Sequence, residues 1–302
     1  MKPILNHSKI LKTAADLLKE NFIDFEFVVD GVDSVVCKVK TESGASLVIK
    51  VGPNADADAF VLRKLEGRNI KVPHLLGETK LQQGGRVYPL IVMTCFSGEL
   101  FKDIAVAERP GYIKEILEEF NKVHSVKSPG RAGYILDVIG GKESSWKDYL
   151  LRNLTGENLE FDWKKVFSFK NVNPELVERA LKQAKEKVLV LSDDIELRLI
   201  HTDINGANIF VKDGHLEGII DWSDAKFGDP LFDLGRFRMN IRNRMDENTL
   251  QAYYEAVNLS DVEINREKIY YLINVLEYIN WYVEYGWEDM VLLQMELLKE
   301  IV

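Results

Sequence analysis

Three polar residues, Asp203, Asn208 and Asp221, punctuate one otherwise apolar stretch, "LIHTDINGANIFVKDGHLEGIIDWSDAKFGDP". Asp213-Gly214 is a two-residue hairpin signal between "IFVK" and "HLEGIID". A turn there sets residue 212 opposite 215 and residue 208 opposite 219. Asn208 and Asp221 then share the open end of the hairpin, a residue or two apart in register. Asp203 lies on the loop that feeds that end, five residues before Asn208. Asn208 and Asp221 offer hard oxygen donors of the kind Mg2+ takes, with its remaining positions left to phosphates and water. Asp203 is left to accept a proton from a substrate hydroxyl. The chemistry this equips is phosphoryl transfer from a nucleotide to an alcohol. Each residue also has a plain structural use: Asp203 as a turn former, Asn208 as a turn cap, Asp221 as a strand end. His201 stands in the same loop, where orienting the loop is the stronger reading and proton transfer the weaker. Asp229, before Pro230, is read as bracing the loop or capping a following helix rather than as touching substrate. Asp224 is a turn acid or a substrate contact.

The elements that must position these residues differ along the chain. Ser8 can cap a helix running to about Glu20. "FEFVVDGVDSVVCKVKTESGASLVIKVG" alternates and is rich in Val, which predicts three strands turning at "DGVDS" and "TESGAS". A helix from about Ala57 to Glu66 follows, with Phe60, Leu62 and Leu65 inward, and then "KVPHLLGE" and "RVYPLIVMTCF" as two further extended segments. After "SGEL" the pattern turns helical: "YIKEILEEFNKVHSV", "SSWKDYLLRNL" behind Ser145, "NPELVERALKQAKEKVLVL" with Pro174 at a first helical position, and "REKIYYLINVLEYINWYVEYGW". The expectation is an α+β chain of two lobes. Residues 1–96 form a nucleotide-binding lobe of antiparallel sheet with one key helix. A linker covers about 93–100, and residues 97–302 form a larger, mainly helical lobe for catalysis and substrate binding.

Read together, the motifs carry a family resemblance. "HTDINGAN" fits the kinase catalytic-loop pattern H-x-D-x-x-x-x-N, and "IIDWSD" stands where kinases carry D-F-G. The fuller string to Leu234 resembles the aminoglycoside phosphotransferase and choline kinase-like superfamily. "IIDWSDAKFGDP" with the earlier "GYI…SSWKDYL" is most similar to its hygromycin B phosphotransferase branch. The resemblance runs through most of the chain in order and is sharp over Leu199–Leu234. It implies a bilobal protein-kinase-like fold that uses ATP and Mg2+. It further implies Lys50, in "LVIKVG", on the α/β-phosphates. Asp58 takes the place of the glutamate that holds such a lysine. It shares a helix face with Leu62 and Leu65, and it needs a closer helix or a bridging water because it is one methylene shorter. The rival partner, Glu66, lies about 100° round the helix from Leu65. In "DGVDSVV", Gly31 and Ser34 form a phosphate-loop candidate, for which an ordinary hairpin turn is an equal reading. "LIVMTCFSGE" resembles the interlobe linker, with Met93 behind the adenine and the backbone of Thr94 and Phe96 bonding it; an apolar strand is the other reading of Met93.

Composition narrows the partners. Lys and Arg total 39 against 48 Asp and Glu, a net charge of −9, which argues against nucleic acid. Only Cys37 and Cys95 occur, so there is no disulfide framework, and a cytoplasmic location is expected. The first twenty residues lack a signal-peptide core, and "YPLIVMTCF" is far too short to span a membrane. The acceptor is expected to be a small molecule. Glu277, Glu284, Glu288 and Asp289 with Trp281, Tyr285 and Trp287 in "EYINWYVEYGWEDM" would suit a cationic sugar, with an aromatic core stripe as the plainer reading. An aminoglycoside-like hydroxyl compound is the first choice. Choline, homoserine, a methylthio-sugar or a macrolide stay open as acceptors, as does a nucleotide-binding pseudokinase. A protein kinase is disfavoured, since no Gly-rich loop or A-P-E segment stands in order.

Overall fold

The computed structural model describes residues 4–28, 33–141, 145–158, 161–244 and 247–302. In chain order its elements are α1 (His7–Leu18), β1 (Phe22–Val28), β2 (Val35–Thr41), β3 (Ser46–Val51), α2 (Ala55–Leu65), β4 (Leu75–Gln83), β5 (Arg86–Thr94) and β6 (Glu99–Leu100). Then come α3 (Ile113–Val123), β7 (Gly133–Tyr134), α4 (Ile135–Ile139), α5 (Trp146–Thr155), α6 (Trp163–Ser168), α7 (Pro174–Leu189), β8 (Arg198–Ile200), β9 (Ile209–Lys212) and β10 (His215–Ile219). The last are β11 (Lys226–Gly228), α8 (Leu231–Arg244), α9 (Glu247–Ala256), α10 (Asp261–Tyr285) and α11 (Glu288–Ile301).

The chain divides into two compact units, Met1–Asp103 with Ala207–Ala225, and Ile104–Gly206 with Lys226–Val302. A single cut after residue 96 therefore does not describe the structure. The reason is local pairing. Just past the linker, β6 hydrogen-bonds to β9, with Glu99 opposite Val211 and Leu100 opposite Phe210. Phe101 then donates its N–H to the Ile209 carbonyl at 2.9 Å. The β9–β10 hairpin is thereby stitched to the unit that precedes it in sequence.

In the first unit, five antiparallel strands run in the order β1-β2-β3-β5-β4. Successive residues of β3 face opposite sides of the sheet. Leu47, Ile49 and Val51 join Cys37, Leu90 and Val92 in a core closed by Ile10 and Ala14 of α1. Val48 and Lys50 point to the other side, where α2 packs on β4 and β5. Asn6 caps α1, its side chain accepting the Lys9 N–H; Ser8 lies inside the helix.

The core of the second unit gathers around α10. Ser260 and Glu263 close a reciprocal capping box at its start, and Gly286 ends it in the left-handed region at φ 71°. Leu272, Ile273, Val275, Leu276 and Ile279 are all buried. A helix apolar nearly all round belongs inside a unit, and α10 packs against α6, α7, α8 and α11. Each such side chain contributes about 1.5–3 kcal/mol relative to exposure. Asn173 caps α7, with Pro174 in its first turn as the sequence implies. Among the described residues, no helix is long and apolar enough to cross a membrane.

Candidate active site

In the first unit, β3 carries Lys50 into a buried position, 5% exposed. Its Nζ lies 2.8 Å from Asp58 Oδ2 and 2.7 Å from Asp221 Oδ1. Asp58 is itself 1% exposed, and its other oxygen accepts the Trp222 N–H at 2.8 Å. The shorter acid thus reaches the lysine directly, with no bridging water needed. Burial works against the Lys50 charge, but the carboxylates of Asp221 and Asp58 outweigh it and hold the ammonium's pKa well above its ordinary value. Burial pushes the Asp58 carboxyl up, against the pull of Lys50.

The Asp213-Gly214 turn closes β9 on β10 with Lys212 opposite His215, as the sequence implies. Further along, the register is 209 to 219 rather than 208 to 219, because a bulge falls between Leu216 and Gly218. The residue left over is Glu217. Its carboxylate accepts the N–H groups of Ser97 and Gly98 at 3.0 and 2.7 Å. Burial opposes that charge, but these amides hold its pKa below the ordinary value. The bulge brings Ile220 beside Asn208, the Ile220 N–H donating to the Asn208 carbonyl at 2.9 Å. Asp221 follows at φ 64°, a left-handed conformation costly for a residue with a side chain. Its Oδ1 takes the Ser223 hydroxyl at 2.8 Å as well as Lys50.

Asn208 and Asp221 suit a hard divalent cation such as Mg2+ by donor type, and the Asp221 side chain keeps 41% exposure. Among the described residues no group of three or more His, Cys, Asp or Glu could hold a metal ion. A cation held by one carboxylate and one carboxamide would complete its shell with phosphate oxygens and water.

In the second unit, β8 delivers the loop His201–Thr202–Asp203. Asp233, in the first turn of α8 and 1% exposed, accepts the His201 N–H at 2.9 Å and the Thr202 N–H at 2.8 Å. His124 Nε2 sits 2.9 Å from the same carboxylate. Burial alone would raise the Asp233 carboxyl; hydrogen bonding to His124 and to the His201 N–H brings it below its usual value. Thr202 adopts φ 64°, an outlier for a β-branched residue, and its hydroxyl takes Lys226 Nζ at 3.0 Å. His201 Nδ1 accepts the Asp203 N–H at 3.2 Å, so this ring orients the loop. Asp203 is half-buried, its Oδ1 accepting from the Tyr278 hydroxyl at 2.9 Å and from Asn205 Nδ2 at 3.1 Å. Asp229 accepts the Leu231 N–H at 3.1 Å and the Tyr270 hydroxyl at 2.8 Å, and pairs with Arg266 at 2.9 Å. It braces and caps, one of its two sequence readings.

Gly31 lies outside the described residues. Ser34 is buried, at the end of β2 across from Gly52, where a Cβ would collide with its hydroxyl. Met93 is buried in β5, paired with Val48 and Leu75. Thr94 donates its N–H to the His74 carbonyl at 3.0 Å, so this amide is not a donor for a nucleobase. Phe96 is half-buried, its ring against Gly218. Asp224 is exposed in the turn before β11. The acids expected to meet ammonium groups are already matched: Glu277 pairs with Arg236 at 2.8 Å, Glu284 with Lys165 at 2.6 Å and Glu288 with Lys170 at 3.1 Å. Trp281 and Trp287, 37% and 40% exposed, meet edge to face with ring centroids 5.0 Å apart.

Residues 24–267 match the model of the phosphotransferase enzyme family, APH. The chain belongs to that family. One curated relative is hygromycin-B 4-O-kinase of Escherichia coli, 21% identical over 204 residues. That match covers 63% of this chain and 55% of the kinase, so it spans little more than half the relative's length. Among solved structures, apo aminoglycoside phosphotransferase APH(4)-Ia, a thermostable mutant, superposes with a TM-score of 0.80 at 17% identity, covering 97% of this chain and 98% of that one. A ternary complex of that enzyme with AMP-PNP and hygromycin B gives 0.81 at 18%, covering 97% of each. Amicoumacin kinase hAmiN gives 0.69 at 13%, covering 98% and 94%. The fold is thus the kinase-like one of these phosphotransferases, with an antiparallel-sheet lobe and a helical lobe.

Four residues that hold the loops of this candidate site lie outside the sequence motifs: Asp233, His124, Glu217 and Tyr278. Asp233 carried a signal in "GDPLFDL", a second acid four residues after Asp229 and able to face back along the first turn of a helix. The other three had none, since a bulge and long-range partners leave no local pattern.

Proposed function

We propose that this chain is an ATP- and Mg2+-dependent O-phosphotransferase acting on a small hydroxyl compound, with an aminoglycoside-like acceptor. One observation carries the reading: the buried ammonium of Lys50 lies 2.8 Å from Asp58 and 2.7 Å from Asp221. Lys50 is kept protonated by Asp58 and Asp221 and neutralises the α/β-phosphates. Asn208 and Asp221 hold the Mg2+, which when bound shields the triphosphate charge. Asp203 takes the proton from the acceptor hydroxyl as its oxygen bonds the γ-phosphorus and the bond to the β-phosphate oxygen breaks, releasing ADP. His201 and Asp233 keep the Asp203 loop in shape, through the bonds described above.

Family membership and the hygromycin-B kinase relative support the acceptor class. Because Glu277 and Glu284 are matched by Arg236 and Lys165, contact with the acceptor falls to the half-exposed rings of Trp281 and Trp287, which can stack on sugar faces. Met93, Phe96 and Ser34 remain the proposed nucleotide contacts, with Asp224 at the acceptor. Two free cysteines, Cys37 and Cys95, suit a reducing cytoplasm.

The test is Asp203→Ala, assayed with MgATP and hygromycin B. A positioned base contributes about 10²–10⁴ in rate, so transfer should fall by about that factor while calorimetry still detects nucleotide binding. Transfer close to the parent rate would sink the assignment of Asp203.

A further inference from the structure

Asp203 is not left to orient itself. Two donors converge on its Oδ1: the Tyr278 hydroxyl at 2.9 Å, from the middle of α10, and Asn205 Nδ2 at 3.1 Å, from its own loop. An ionised carboxylate only accepts, so Tyr278 is the donor in this contact. Tyr278 is held in turn. It is 8% exposed, the Arg236 guanidinium stands over its ring at 4.4 Å, and Glu277 fixes Arg236 from the neighbouring position of α10 at 2.8 Å. Asn240 of α8 donates its Nδ2 to the Ile204 carbonyl at 2.8 Å, beside Asp203 in the chain.

We propose that Tyr278 is a positioning residue for the reaction: its hydroxyl, with Asn205, holds Oδ1 of Asp203 and so fixes the carboxylate that receives the acceptor's proton. This rests on Asp203 being the base. The bond has two effects. It locks the carboxylate plane, which sets where the acceptor oxygen must stand for in-line attack on the γ-phosphorus. It also stabilises the anion, so Asp203 is ionised and ready at a lower pH than an unassisted half-buried acid. Among the described residues, the charged and titratable groups linked to it include His201 on the loop, Lys226 of β11 through Thr202, Arg236 on α8, and Glu277 and Tyr278 on α10. Burial first, and then the nearby Asp203 charge, hold Tyr278 well above its ordinary pKa, so it stays a donor throughout the working range.

The experiment is a pH titration of the Asp203 carboxyl by 13C NMR in the full chain, with aspartate labelled and the resonance assigned by Asp203→Asn. Tyr278→Phe should raise the Asp203 pKa by about one unit or more, the loss expected for a hydrogen bond to a charged group. A 3-fluorotyrosine at position 278, a stronger donor of the same shape, should move it the other way. Identical titrations in all three proteins overturn the proposal. The kinetic arm uses MgATP and hygromycin B. Tyr278→Phe should lower kcat about tenfold and move the acid limb of its pH profile up with the NMR value, leaving the KM for ATP unchanged. A shifted titration with unchanged kcat and pH profile also overturns it. An active Asp203→Asn would instead refute the base assignment and leave the Tyr278 contact standing, so the two failures are told apart.

Discussion

Asp58 offers the sharpest quantitative test, because removing it changes the surroundings of one buried cation. Lys50 and Asp58 have side chains 6% and 2% exposed, 2.8 Å apart. Unit charges at that separation attract by about 6 kcal/mol at an effective dielectric of about 20. Several kcal/mol per ion is spent on removing both from water, so the pair as a whole is close to neutral for stability. Removing one partner is different, because Lys50 stays buried. Asp58→Ala should cost about 3–5 kcal/mol, placed at the lower end because Asp221 still touches the ammonium at 2.7 Å. The orphaned Trp222 N–H adds about 1–3 kcal/mol. Asp58→Asn keeps an acceptor for that N–H and should fall between Ala and the parent. Asp58→Glu supplies the longer acid but must fit an extra methylene beside Leu62 in a packed interface, at about 1–3 kcal/mol. Unfolding followed by circular dichroism and calorimetry should give the order parent, then Glu or Asn, then Ala, with the first transition of Asp58→Ala roughly 12 °C or more below the parent. If Asp58→Ala melts within a degree of the parent, or Asp58→Glu melts above it, the direct buried pair is not what holds Lys50.

Two further outcomes follow from the same reasoning. Glu267 is held near pKa 7 by burial, Arg238 at 2.8 Å only partly offsetting it. A folded-state pKa above the unfolded one favours the protonated form in the fold. Its contribution is complete below about pH 4.5 and is lost as pH rises through about 7, up to about 3 kcal/mol in all. Glu267→Gln should flatten the stability profile across that window, measured by denaturant melts at half-unit pH steps; an unchanged slope would count against it. Gly218→Ala should lower the melting temperature and loosen residues 96–98, read by hydrogen exchange, because the added Cβ would run into the Phe96 ring and the Lys71 carbonyl; a neutral variant would mean the bulge relaxes freely.

What the sequence disclosed was local in origin. The Asp213-Gly214 turn, the spacing of Asp203 and Asn208, and Lys50 within an alternating strand are each patterns over a few residues, and backbone geometry converts such patterns into position. Asp58 was legible because a helix repeats every 3.6 residues. The register error at Ile209 and Ile219 arose where tertiary contact intervened. Glu217 leaves the ladder to bind Ser97 and Gly98, 120 and 119 positions away. The partners of the α10 acids were hidden for a similar reason. Glu277 and Glu284 read as open charges beside aromatics, while their partners come from α8 and α6, remote in sequence. Tyr278 reads as one ring in an apolar stripe, and only the fold sets its hydroxyl on a carboxylate 75 positions upstream.

The β9–β10 hairpin has a consequence for how the protein is made. Its strands complete the unit that begins at the N-terminus, yet the ribosome adds Ala207–Ala225 only after the whole segment Ile104–Gly206. At ordinary synthesis rates that delay is roughly 5–25 seconds. Throughout it, Lys50 and Asp58 exist without Asp221, and the amides of Ser97 and Gly98 without Glu217. The nascent first unit must therefore wait in an unfinished state. Cutting the gene at the linker would freeze that state permanently, so the two units are better separated by circular permutation than by truncation.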